Sequence, residues 1–293
     1  MKLPRLLPAV LMVIIWTLVH SNEPAPPAGL TLERKGHLLT IRGPGIPPEG
    51  IAINYLEAYC RAGSSNADWV QHTVIPHQSR DIEVTPAKVR LHDKLSDGLE
   101  VQHVITAGRD EVTFEITAHN PTGKRSEAHW AQPCVRLGPF CGFPATWTGP
   151  GPEDYLGQCF LFIDGQPVRM PTPVWAKDAR YTPGQVWCPQ EVPRTDVNPR
   201  PLNPLVPSCG LIGCYSGDGK TICAIAFEPW QELFQGVARC LHSDFRLGGI
   251  EPGVTKKIRG RIYIVPANMD ALLARYRKDF PEHFSRENGE TKK

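Results

Sequence analysis

Strict alternation dominates the middle of the chain. Val112, Phe114, Ile116 and Ala118 take one side, and Thr113, Glu115, Thr117 and His119 the other, which predicts a half-buried strand. The run Leu99 to Ala107 pairs with it through Gly108-Arg109-Asp110. Upstream, Leu30 to Arg42 reads as a hairpin turning at Arg34-Lys35-Gly36. In Ile51 to Arg61 the side chains of Ile53, Tyr55, Glu57, Tyr59 and Arg61 share a face, which fits either a polar cleft or an exposed ion pair. Ile82 to Leu91 predicts one further strand. Downstream, Leu211–Ser216 and Thr221–Glu228 form a hairpin around Gly217-Asp218-Gly219-Lys220, apolar on both faces and therefore covered. Lys257 to Val265 alternates again. Helical spacing is clear only for Met269, Leu272, Leu273, Tyr276 and Phe280, with Asn268 as N-cap and Pro281 as the stop. Ten or more strands, one C-terminal helix and no βαβ alternation predict an all-β fold, a large antiparallel β-sandwich.

Residues 138–207 break this pattern. They hold fourteen of the chain's 30 prolines, and proline cannot donate to a sheet ladder. Only Cys159 to Ile163, followed by Asp164-Gly165, reads as a strand and turn. So long an irregular stretch inside a domain predicts a functional loop or lid. Trp147, Trp175, Tyr181 and Trp187 predict that it packs. The expected organisation is a single sandwich domain over 30–283 carrying this insertion, with a disordered tail over 284–293.

The first residues predict an export signal over 1–21. Lys2 and Arg5 precede an apolar run from Leu6 to Val19, and Val19 and Ser21 suit cleavage before Asn22. A proline-rich spacer follows over 22–29. The expected location is secreted or periplasmic, with no membrane span after cleavage. A net charge of +2 with scattered basic residues argues against a nucleic-acid partner.

Nine cysteines in an exported chain invite disulfides, but the count is odd. The hairpin centred on Asp218-Gly219 sets Cys214 against Cys223, either bridged or as two buried thiols. No CxxC or zinc-ribbon spacing occurs, so no metal is expected. His72 and His77 lie five apart, read as turn and surface histidines or as metal ligands. The string GCYSGDGKT is not a phosphate-binding loop, since its first glycine is misplaced and a strand follows.

Two polar clusters sit at strand ends beside aromatic rings. One is His119-Asn120 with His129-Trp130-Ala131-Gln132 and Arg136; the other runs from Glu228-Pro229-Trp230-Gln231-Glu232 to His242-Ser243-Asp244. Aromatic faces stack on sugar C–H groups and planar polar side chains read hydroxyls, so both clusters point to a carbohydrate partner. The strings HNPTGKRSEAHW, AIAFEPWQ and GIEPGVTKKIRGRIYIV resemble the galactose-mutarotase-like supersandwich proteins, and the chain looks closer to exported bacterial relatives of that fold than to a working epimerase. The resemblance implies His129 as general acid and Glu228 as base in cofactor-free chemistry of the epimerase or lyase kind. Trp130, Trp187 and Trp230 are expected to stack sugar rings, and Gln132 and Arg136 to orient the ligand; Arg194, Asp196, Asn198 and Arg200 read as ion pairs within the insertion, or with Arg194 or Arg200 neutralising an acidic sugar. His242 and Asp244 complete the expected ligand-binding set. Trp130 stands where mutarotases continue with Tyr-Phe-Asn, and the proline-rich insertion is foreign to them. A non-catalytic glycan-binding or cell-envelope role is the alternative.

Overall fold

The computed structural model describes residues 29–65, 68–145, 154–172, 185–199, 202–236 and 238–284. The export signal, most of the spacer, Trp147, Trp175, Tyr181 and nearly all of the tail lie outside them. In chain order the strands are β1 (Thr31–Lys35), β2 (Leu38–Arg42), β3 (Ile51–Cys60), β4 (Val74–Ile75), β5 (His77–Val84), β6 (Lys88–Leu95), β7 (Glu100–Ala107), β8 (Glu111–His119) and β9 (Trp130–Arg136). They continue with β10 (Cys159–Ile163), β11 (Gln166–Arg169), β12 (Val186–Trp187), β13 (Ile212–Tyr215), β14 (Thr221–Glu228), β15 (Trp230–Gly236), β16 (Cys240–Arg246) and β17 (Thr255–Pro266), before the helix α1 (Met269–Asp279).

Two antiparallel sheets result. The first runs β1-β2-β3-β9-β16-β15-β12 with β4 on β3, and the second runs β11-β10-β13-β14-β17-β8-β7-β6-β5. The main core lies between them. Ile53, Val135, Leu233 and Leu241 of the first sheet join Val101, Phe114, Ile225 and Ile262 of the second. The outer face of the second sheet is covered by α1, where Leu272, Tyr276 and Phe280 pack on Ile222, Ala224 and Ala226. Asn268 caps α1 by accepting from Ala271 N at 3.0 Å, as its sequence position predicts. No helix among the described residues is long and apolar enough to cross a membrane.

A polar network interrupts this core. Tyr59 donates to Asp93 at 2.6 Å, Ser79 donates to the other carboxylate oxygen at 2.6 Å, and His103 reaches Tyr59 at 2.9 Å and Tyr55 at 2.8 Å. Tyr59 spends its only hydroxyl hydrogen on Asp93. His103 Nε2 therefore donates to Tyr59 and also lies 3.2 Å from Asp93, while Nδ1 meets the Tyr55 hydroxyl. Burial alone would raise the Asp93 pKa, but hydrogen bonds from His103, Ser79 and Tyr59 outweigh it and hold the carboxyl well below the usual range.

Several local expectations change. Ile82–Leu91 is not one strand: the chain turns at 85–87 between β5 and β6. Tyr59 is buried in the core while Glu57 is exposed, because a register shift between Asn54 and Ala58 breaks their common face. Arg61 pairs with Glu127 at 2.7 Å on the surface. Cys214 does face Cys223 in register. All nine cysteines are buried and no disulfide links them, so the buried-thiol reading holds. Cys214 Sγ lies 3.4 Å from Cys141 Sγ instead.

Candidate functional site

β9, β16 and β15 lie side by side, and alternate residues of each point away from the core. On β9 these are Trp130, Gln132, Cys134 and Arg136; on β16, Cys240, His242, Asp244 and Arg246. Residues 185–199 of the insertion pack over this outer face. Val186, Cys188, Val192 and Val197 cluster on Phe234 of β15, and Val186 opposes Phe234 in a short ladder. Polar contacts fasten it. Asp196 Oδ2 accepts from His129 Nδ1 at 3.0 Å and from Arg246 at 3.0 Å. Gln231 donates to the Asp196 carbonyl and accepts from Arg246. Asn198 N donates to Glu232 at 2.8 Å.

The expected site residues therefore divide. Trp130 and Trp187 are fully buried, Trp130 against Trp69 with ring centroids 6.2 Å apart, which leaves neither a free face for a sugar. Their expected stacking role is corrected to one of packing. Gln132 donates to the exposed Glu57 at 2.8 Å. Arg136 is half-buried, with a buried Nε that lacks a hydrogen-bond partner among the described residues. Arg194 turns back onto its own loop and donates to Cys188 Sγ at 2.8 Å. Asp196, expected to pair within the loop, reaches the sheet instead.

His242 and Asp244 are buried beneath the insertion. The His242 ring stacks on Phe234 with centroids 4.0 Å apart. Burial alone lowers the His242 pKa, but the Cys240 sulfur and Asp244 override it and push it up to about 10. Burial raises the Asp244 carboxyl to about 6. Cys134, Cys240 and His242 each offer one ligand atom, all within 4.8 Å of one another, the one such group among the described residues able to hold a metal ion.

Glu228 belongs to a different place. It ends β14 in the second sheet, in alternation with Ile222, Ala224 and Ala226, on the side that α1 covers. Its Oε2 lies 2.7 Å from His283 Nε2, just beyond the helix. His129 pairs with Asp196, and Glu228 pairs with His283. Glu228 and Trp230 nevertheless share one cleft of 250 Å³ with Gln190, Glu191, Ser208, Glu282 and His283. Glu228 and Glu282 also border a second cleft of 560 Å³, lined by Glu115, Lys257 and Arg259. His283 follows a helix stop, and nothing in its spacing marks it as a site residue. Only the return of the chain after α1 brings it to Glu228.

No protein family matches the sequence, and no curated protein does. Solved structures are similar in fold. A candidate aldose 1-epimerase of Escherichia coli K12 aligns with a TM-score of 0.41 at 9% identity, over 80% of this chain and 98% of that one. The Slr1438 protein of Synechocystis sp. PCC 6803 aligns at 0.41 and 13% identity, over 87% and 99%. An α-mannosidase from Enterococcus faecalis V583 aligns at 0.46 and 9% identity, over 87% of this chain but 30% of that one, so this chain spans less than a third of its length.

Proposed function

We propose that this chain is an exported carbohydrate-binding protein whose ligand sits against Glu228. The observation that carries this reading is the cleft shared by Glu228, Trp230 and His283. It combines carboxylates for hydroxyls, an imidazole 2.7 Å from a carboxylate, and the rim of Trp230, a ring otherwise buried in the core. Such a pair can pass a proton to and from a ring oxygen or hydroxyl, which suits epimerase-like or lyase-like chemistry. Arg259 and Lys257 beside the adjoining cleft suit an acidic sugar. His129 belongs to a second polar centre, where Asp196 holds Nδ1 and Nε2 has no hydrogen-bond partner among the described residues. Export rests on the charged, apolar and small residues of the first 21 positions.

A screen of neutral glycans and uronate oligosaccharides tests this, with binding and product formation read separately. Glu228→Gln should abolish retention or turnover of whatever the wild-type chain takes, with folding intact. Full retention by Glu228→Gln, or no glycan bound by the wild type, overturns the reading. A second reading, a non-catalytic or structural envelope role, is favoured by the insertion that closes the outer face of the first sheet. It predicts the absence of any product.

A further inference from the structure

Cys134, Cys240 and His242 carry an inference separate from the Glu228 cleft. The ladder that sets Arg136 opposite Cys240 and Val135 opposite Leu241 brings Cys134 alongside both other residues. Cys240 and His242 are two apart and share a strand face. Cys240 Sγ lies 3.3 Å from His242 Nε2, and the two sulfurs and the ring nitrogen all fall within 4.8 Å. Bonds of about 2.3 Å to sulfur and 2.0 Å to nitrogen put ligands about 3.5–3.8 Å apart around a tetrahedral ion, so small rotations would close on one.

Three independent features favour a cation there. Gly236 faces Cys240 across the hairpin, and a Cβ on it would collide with Cys240 Sγ and come within 3.2 Å of His242 Nε2. Glycine thus keeps open the space beside two donor atoms. Phe234 fixes the imidazole plane by stacking on it. Behind the ring, Asp244 Oδ1 stands 3.4 Å from His242 Nδ1, and Asp244 is fully buried with the Glu232 carboxylate as its other polar neighbour. A buried carboxylate left so is costly. A cation on Nε2 fixes the imidazole proton at Nδ1, turns it to Asp244 and supplies the positive charge the carboxylate needs.

We propose that Cys134, Cys240 and His242 form a buried site for a thiophilic d10 cation, oriented from behind by Asp244. Zn²⁺ is favoured over Cu⁺. Two thiolates and a neutral imidazole balance a dication, and the neighbouring Asp244 and Glu232 carboxylates add negative charge. Loading releases the proton of each thiol, and no oxidant or reductant takes part.

The purified chain, reduced and then freed of reductant under argon, is titrated separately with Zn²⁺ and with Cu⁺ against a competing chromophoric chelator. The expected result is one equivalent of Zn²⁺ bound, with Cys134 and Cys240 protected from alkylation. Co²⁺ should give a sulfur-to-cobalt charge-transfer band with tetrahedral visible bands. Asp244→Asn should weaken Zn²⁺ about 10–100-fold, and Cys240→Ser should remove the charge-transfer intensity of its sulfur. Binding of Cu⁺ but not Zn²⁺ supports the site and reassigns its metal. Failure of the reduced wild type to bind either ion, or an unchanged cobalt spectrum in folded Cys240→Ser, overturns the proposal. A Cys134–Cys240 disulfide that re-forms in preference to metal binding overturns it too.

Discussion

Asp196, in the middle of the proline-rich insertion, accepts from His129 Nδ1 and from Arg246 on a single carboxylate oxygen, each at 3.0 Å. One nearly buried acid thus holds the insertion to the start of β9 and the end of β16 at once. Asp196→Ala would leave the Arg246 charge half-buried and the insertion held by its apolar cluster and by the hydrogen bonds to Gln231 and Glu232. The expected cost is about 1–3 kcal/mol, with faster proteolytic cleavage within residues 185–199. Thermal melting and a timed digest check both, and an unchanged digest would show that the remaining contacts to Phe234, Gln231 and Glu232 suffice as the anchor.

Asp93 makes stability depend on pH in a defined direction. Its folded pKa lies below the unfolded value of about 3.9, so its contribution is complete above that pH and is lost as the pH falls below it. The melting temperature of the wild type should therefore fall as acid is added below about pH 4. Asp93→Asn should be less stable near neutrality by about 1.5–3 kcal/mol, because it replaces hydrogen bonds to a charged, buried acceptor by weaker neutral ones. Its melting curve should also be flatter in acid. Parallel curves for the two proteins would remove Asp93 from the acid response.

The helix stripe gives a third prediction. Leu272 is buried between α1 and the second sheet, and the same helix delivers His283 to Glu228. Leu272→Ala should cost about 2–5 kcal/mol in denaturant unfolding. A loss below 1 kcal/mol would mean that α1 is held mainly by its ion pairs, such as Arg275–Glu111 at 2.6 Å.

How much of this was legible in the sequence depends on how far each residue's partner lies. Val112, Phe114, Ile116 and Ala118 all bury on one face, because β8 is interior to its sheet and half-covered, the case in which period-2 patterning is cleanest. β5 sits at the sheet edge with Arg80, Asp81 and Glu83 beside Ile82, so no alternation separates it from β6. Asp196 lies between Arg194 and Arg200, and nearness in sequence suggested local pairing. Its true partners are 67 and 50 positions away. The Cys134–Cys240–His242 group depends on the register of two strands a hundred residues apart, which no local spacing records.

Gly210 offers a test of the Glu228 cleft that leaves every polar group in place. A Cβ at this position would lie 2.6–2.9 Å from three ring atoms of Trp230, and the indole is too rigid to yield by bending. Trp230 also lines the cleft beside Glu228, so displacement of the ring must reshape that wall. Gly210→Ala should lower stability by about 1–3 kcal/mol through overpacking. It should weaken binding of whatever glycan the wild type retains and shift the tryptophan emission. Glu228→Gln should remove binding with little change in emission, because it alters a carboxylate and leaves the indole where it is. If Gly210→Ala moves the emission while glycan binding stays at the wild-type level, Trp230 is a wall of the cleft but not a contact of the ligand.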